Sequence, residues 1–396
     1  MWQRPAILTW LCYGGMASLA IGLNLLPLFL AELGATYGGE TGLTREELGR
    51  LGSMMFAGLV LGIVVTGPLA DRWAPKPFVL FGCIVTSASL GAAAVAPTYG
   101  FLGASLVFLG LGAGMLDMML SPVVAALNPH RRIASLNWLH SFYSIGAVVT
   151  IGAGTIIQHG GFKWRYACLA FSPLPAALAV AFAFMEFPPL TGAAGRMAVR
   201  DLLRQPWFRA ALMALFLVGA VEIGVAQWLP TYAEKELHYP TWVGGVAFMV
   251  FSIAMAGGRM ILGLVVKRLD PYIMLISSGG VCCLLVFAGA LLPTPALSLT
   301  ACVAVGLAVC GLWPTVLALA GNRFPEGGAS MFGILSIFGN AGGIGMPWLV
   351  GWVASHYDLR WGIAVVGIAT LPLILSLLSL RTKEVRAESI PGMNPT

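Results

Sequence analysis

Residues 110–129 read GLGAGMLDMMLSPVVAALNP. One residue in that run, Asp117, carries a charge, and an apolar helix of about 20 residues is long enough to cross the hydrocarbon core of a bilayer. A related stretch lies in the second half of the chain, GLWPTVLALAGNRFP at residues 311–325. Gly114 lies eight before Pro122 and Gly306 eight before Pro314, and each proline opens a similar run, SPVVAAL and WPTVLAL, that ends near an asparagine, Asn128 or Asn322. One spanning design used twice points to a chain built from two related halves.

The remaining sequence extends this pattern. Of 396 residues, 58% are hydrophobic and 10% charged, against roughly 45–50% and about 25% in soluble domains; mean hydropathy is +0.87. A soluble globular enzyme is excluded. Apolar runs predict helices over 6–34, 47–70, 77–96, 98–127, 135–158 and 164–187, then 207–236, 241–264, 272–292, 295–321, 327–355 and 359–380. The expected architecture is an all-α membrane protein of twelve spans in two six-helix halves, 1–187 and 207–380. Residues 188–206 form a charged linker and 381–396 a tail. The first apolar segment lacks a small-x-small cleavage site and reads as a retained span. Gly 50 and Pro 24 suit a membrane bundle, where small residues let helices approach and prolines give tolerated kinks.

Basic residues near span ends favour the cytoplasmic face. Six of the 22 Lys and Arg fall outside if the N-terminus is inside (Arg45, Arg50, Lys163, Arg165, Lys235, Arg360), and Arg259 lies near a span end. The other 15 then fall inside. Both termini and the linker are expected in the cytoplasm of a cell with the protein in its inner membrane, and the net charge of +6 requires no nucleic acid.

A charge at mid-bilayer costs at least about 2.5 kcal/mol, so a deep carboxylate is a functional candidate. Asp117 shares a helix face with Gly110, Gly114 and Ser121, which turns it toward a cavity or a close neighbour rather than lipid. Glu222 follows Gly219 by three and precedes Ala226 by four. Gln227 and Trp228 can join Glu222 at one site only if the helix breaks near Gly224 or Pro230. Asn137, His140, Ser141 and Ser144 form a polar stripe whose histidine could carry a proton and whose plainer role is interhelical bonding. The eleventh span repeats the stripe with Gly333, Ser336, Asn340, Gly343 and Pro347; Asn24 precedes Pro27 by three. Trp228 and Trp313, each near a proline, are the aromatic candidates for solute contact. In the loop after the second span, Asp71 and Arg72 form a candidate gate, echoed by Arg259. Seven cysteines without metal-ligand spacing, and no P-loop or HExxH, point to no metal, no cofactor and no ATP-driven step.

GPLADRW and its echo GGRMILGLVVKR resemble the loop signature of the major facilitator superfamily along the whole chain. The runs around Asp117, SLNWLHSFYSIGA, VEIGVAQWLPTY and NAGGIGMPWLVG look like its fucose and glucose/galactose permease branch. That resemblance implies sugar symport with protons or sodium, with an acid of the fourth span, here Asp117, taking part. Fucose permeases carry an acid in the first span where this sequence has Leu23-Asn24.

The expected function is proton-coupled symport of a sugar or other small polar solute by alternating access. Asp117, Glu222 and His140 would handle protons; Asn24, Asn137, His140, Ser144, Glu222, Gln227, Trp228, Trp313 and Asn340 would contact solute. A lipid bilayer is the expected surrounding and a monomer the expected state. The alternative is export of drugs or amphipathic compounds in the same fold; a non-transporting sensor or enzyme has no motif behind it.

Overall fold

The computed structural model describes residues 5–38, 43, 45–70, 73–190, 197–265 and 269–388, and every regular element among them is helical. The first span is α1 (Pro5–Leu28) continued by α2 (Leu30–Tyr37). Then come α3 (Arg45–Ala70), α4 (Pro75–Ala94), α5 (Tyr99–Leu127) and α6 (Arg132–His159). The sixth span is split into α7 (Trp164–Phe171) and α8 (Pro173–Ala183), and a short α9 (Val199–Arg204) lies in the linker. The second set is α10 (Pro206–Thr231), α11 (Thr241–Val265), α12 (Pro271–Leu291), α13 (Pro295–Val309) with α14 (Leu312–Arg323), α15 (Gly328–His356) and α16 (Leu359–Glu388).

Eleven of the described segments are long and apolar enough to cross a membrane. With 28 residues, α6 is a twelfth long helix.

Prolines punctuate these helices as their missing N–H requires. They open α4, α8, α10, α12 and α13, where the first amide has no partner anyway. Inside a helix they free an acceptor. Pro314 cannot donate to the carbonyl four residues earlier, that of Cys310, and the helix breaks there between α13 and α14.

Besides the splits in the sixth and tenth spans, the sixth ending at Ala183 rather than 187, other expected boundaries move. The first span breaks at Phe29 rather than running unbroken over 6–34. α10 passes straight through Gly224 and ends at Thr231, where a wider π turn over Tyr232–Glu236 follows Pro230. α16 continues to Glu388, so a helix occupies the beginning of the segment 381–396 that sequence assigns to a tail. Its last turns are charged and therefore escape a hydropathy reading.

By packing, the described residues group into two compact units, 1–129 with 142–193 and 328–333, and 130–141 with 194–327 and 334–396. In the first unit, glycines bring backbones into contact. A Cβ added at Gly110 would stand 1.9 Å from the Met55 carbonyl oxygen, at Gly114 2.1 Å from that of Leu59, and at Gly58 2.0 Å from that of Val107. These contacts join α3 to α5; a Cβ added at Gly146 would stand 2.4 Å from the Ala17 carbonyl oxygen, a close approach that joins α6 to α1. The second unit repeats the scheme. A Cβ added at Gly306 of α13 would stand 2.6 Å from the Phe251 carbonyl oxygen of α11, and one added at Gly219 of α10 or Gly342 of α15 would stand 2.0 or 1.8 Å from the carbonyl oxygens of Gly339 and Phe216. Small residues at helix interfaces supply the dispersion contact that drives association in lipid, where no hydrophobic force acts between helices.

Each unit also carries an arginine clasp. In the first, the Trp164 amide donates to Glu32 Oε1 at 3.0 Å, so a carboxylate caps the start of α7. Arg165 donates to the carbonyls of Ala94 and Ala96, both at 2.7 Å, and to the Tyr37 hydroxyl at 3.3 Å. In the second, Leu359 N donates to Glu236 Oε2 at 3.4 Å, Arg360 Nε lies 3.3 Å from Glu236 Oε1, and Arg360 Nη1 reaches the carbonyls of Ala290 and Leu292 at 3.3 and 2.8 Å. The guanidinium thus satisfies carbonyls that the ends of α4 and α12 leave without helical donors.

Two outcomes follow from this packing. Gly110→Leu should destabilise by more than the roughly 1–3 kcal/mol of ordinary overpacking, whereas Gly91→Ala, with nothing within 4 Å of the added carbon, should be tolerated; melting in detergent by size-exclusion thermostability compares them. Arg165→Gln and Arg360→Gln should each lose about 1.5–3 kcal/mol per charge-assisted bond removed, read as a lower melting point in the same assay.

Candidate functional site

In the second unit, Arg259 joins a part-buried carboxylate and two backbone carbonyls. This residue of α11, which sequence places near a span end among gating groups, is only 3% exposed. Its Nη2 lies 3.1 and 3.2 Å from the two carboxylate oxygens of Glu222 on α10. Its Nε donates to the Cys310 carbonyl at 2.7 Å and its Nη1 to the His140 carbonyl of α6 at 3.0 Å. The Cys310 carbonyl is the one that Pro314 leaves free, so the proline of the repeated motif creates an acceptor for the buried cation. The Glu222 side chain is 16% exposed. Two charges in a low-dielectric interior persist only with such complete pairing.

In the same unit, Asn137 is fully buried; its amide donates to the Ile133 carbonyl at 2.9 Å and to Thr315 Oγ1 at 3.4 Å. Its Oδ1 has no hydrogen-bond partner, an unusual state for a buried amide. His140 is buried through its position in the stripe. Trp313 lays its ring on Gly339, where an added Cβ would stand 2.1 Å from the ring. Asn340 spends its amide on the Ser336 carbonyl of its own helix at 3.0 Å. Trp228 Nε1 donates to the Pro347 carbonyl at 2.9 Å. Because α10 does not break at Gly224, Gln227 faces away from Glu222 and is exposed, so the expected trio of Glu222, Gln227 and Trp228 does not meet.

In the first unit, the Asp117 face of α5 is turned to a close neighbour, the helix α3 that Gly110 and Gly114 touch. Asp117 itself is part-buried. Thr66 lies one turn beyond Gly62 on α3, is fully buried, and has a hydroxyl without a hydrogen-bond partner; Ser18 of α1 is in the same condition. Neither hydroxyl stands out in the sequence, since a lone Ser or Thr in a span is ordinary. Asn24 donates to the Ala20 carbonyl at 2.8 Å. Ser144, on the part of α6 that packs in this unit, is buried. Asp71 and Arg72 lie outside the described residues.

Repeated glycine contacts, repeated clasps and a buried ion pair in an all-helical apolar chain describe a transporter scaffold, and the match to known families decides which. Residues 6–330 fit the family model described as Major Facilitator Superfamily. The chain belongs to this superfamily. It is an integral membrane transporter and not an enzyme. The probable nitrate/nitrite transporter NarK2 of Mycobacterium tuberculosis is 24% identical over 365 residues, covering 87% of this chain and 89% of NarK2. The glucose/mannose transporter GlcP of Bacillus subtilis is 25% identical over 177 residues, 44% of this chain and 42% of GlcP. The crystal structure of the E. coli fucose:proton symporter FucP superposes with a TM-score of 0.79 at 16% identity, over 95% of this chain and 99% of FucP. The proton:xylose symporter XylE gives 0.82 at 12% identity, over 93% and 94%. At such identities the structural likeness speaks for the fold alone.

The ion pair makes a specific forecast. Arg259→Met, which strands the Glu222 carboxylate, should cost about 3–5 kcal/mol, and Glu222→Gln added to it should recover a substantial part. A double-mutant cycle on thermal stability in detergent reads the coupling, and additive losses would show the two groups to be independent.

Proposed function

We propose that this superfamily member moves a small, polar, uncharged solute, a sugar or sugar derivative, together with protons by alternating access. The observation that carries this reading is the division of charge between the repeats. Glu222 and Arg259 neutralise each other at 3.1 Å, which leaves Asp117 as a span acid with no cationic partner among the described residues. An acid of this kind can be charged and uncharged in turn within a transport cycle, and each state need meet only a neutral solute. Among the described residues, Asn137 Oδ1 and the hydroxyls of Thr66 and Ser18, like Trp207 Nε1, are buried without partners and have hydrogen-bonding capacity to spare. The proton:sugar symporters of the same fold, FucP and XylE, support this reading by analogy.

A second reading rests on Arg259. Were the Glu222 carboxylate protonated, the guanidinium would be free to hold a small anion, and NarK2, named for nitrate and nitrite, matches most of the chain. The cis,cis-muconate transport protein of Acinetobacter baylyi, 24% identical over 249 residues, has an anionic cargo by name as well.

Uptake into proteoliposomes separates the two. A panel of radiolabelled sugars, nitrate and small carboxylates, each with and without an inward proton gradient, should show gradient-driven accumulation of a sugar. Accumulation of anions alone would favour the second reading. With the cargo in hand, Asp117→Asn should abolish accumulation against a gradient and leave counterflow exchange at least partly active, while Glu222→Gln should weaken solute binding. If Asp117→Asn accumulates solute as well as the unmodified protein does, the acid is a structural hydrogen-bonding group and coupling resides elsewhere.

A further inference from the structure

Within the second unit, the beginning of α10 and the end of α16 enclose an open groove of about 520 Å³ lined by Pro206, Arg209, Ala210, Pro372, Leu375, Ser376, Ser379 and Lys383. Its wall is graded. Pro372 and Leu375 form an apolar stretch, Leu375 being 66% exposed, and both belong to the membrane-spanning segment Leu359–Val385. Toward the end of α16, the lining becomes hydroxyl and cation, with Ser376, Ser379 and Lys383 facing Arg209 of α10. From Pro372 to Lys383 is eleven helical residues, roughly 16 Å of rise, which suits a headgroup and the first part of an acyl chain.

Among the described residues no acid lines the groove, and Glu384 and Asp201 are already paired. Glu384 pairs with Arg323, and Asp201 with Arg204. Lys383 donates to Ser379 Oγ, which leaves further donors on its ammonium, and Arg209 is exposed with no side-chain partner among the described residues. Two unneutralised cations and two hydroxyls at the polar end of a lipid-facing apolar wall complement a phosphate ester carried on a hydrocarbon chain.

We propose that this groove is a binding site for an anionic phospholipid, the phosphate held by Arg209 and Lys383 and one acyl chain lying along Leu375 and Pro372. A free anion would gain nothing from the apolar wall, and a zwitterionic lipid would bring a cation into a site that already has two.

Native mass spectrometry of the detergent-purified full chain, incubated with phosphatidylglycerol or with phosphatidylcholine, tests this. The intact protein should retain phosphatidylglycerol in preference to phosphatidylcholine, and inorganic phosphate at equal concentration should not compete. One juxtamembrane cation is worth about 1 kcal/mol toward anionic lipid, about a fivefold change in affinity. Arg209→Gln and Lys383→Gln should therefore each weaken phosphatidylglycerol binding about fivefold and the double variant roughly 25-fold. Arg209→Lys should keep most of it. Arg131→Gln with Lys163→Gln, removing two exposed cations outside the groove, should leave it unchanged. Equal retention of both lipids, an unaltered double variant, or an equal loss in the off-groove control would overturn the assignment, and displacement by inorganic phosphate would reassign the site to a free anion.

Discussion

A carbon atom added to Gly110 would lie 1.9 Å from a carbonyl oxygen of the neighbouring helix, and one added to Gly342 1.8 Å from another; at these points the protein has no room for a side chain. Lipid tails are as apolar as leucine, so helices gain nothing by hiding leucines from them, and association has to come from close contact of the backbones themselves. The rest of the structure follows from that constraint. Glycines on α5 fix α3, glycines on α10 and α15 fix each other, and the residues between them inherit their neighbours from this contact. Asp117 faces α3 because Gly110 and Gly114 do.

The same constraint governs polar groups. Without water, a carbonyl released by a helix end or a proline needs a donor from elsewhere in the protein. Arg165 and Arg360 supply it where α4 and α12 end, and Arg259 supplies it at Cys310, where Pro314 withholds its amide. The clasp arginines use backbone carbonyls to tie three spans of a unit together. Arg259 does this and also neutralises Glu222, which joins the architecture of the second unit to its candidate chemistry.

The two units are alike in packing and unlike in charge. The clasps recur almost residue for residue and glycine contacts join corresponding helix pairs, but the first unit holds Asp117 and the second a closed carboxylate–guanidinium pair. A duplicated scaffold gives two stable supports; the differences written onto it are where selectivity and coupling can arise.

By itself the sequence determined the membrane class, the helix count, the repeat and the residues whose burial would need explanation, because hydropathy, proline position and isolated charges are local properties that lipid makes severe. Asp117, Glu222, Asn137 and Arg259 were all visible as candidates. Their partners were not. That Glu222 meets Arg259, that Gln227 turns away and that Arg259 lies deep among carbonyls depend on which helices touch and at what rotation, and an unbroken α10 settles the last few ångströms. The clasps escaped notice for the same reason: Arg165 and Arg360 read as exposed loop charges until the ends of α4 and α12 are placed beside them. Packing between distant segments decides such pairings, since a charge seeks the nearest carbonyl in space and not in sequence.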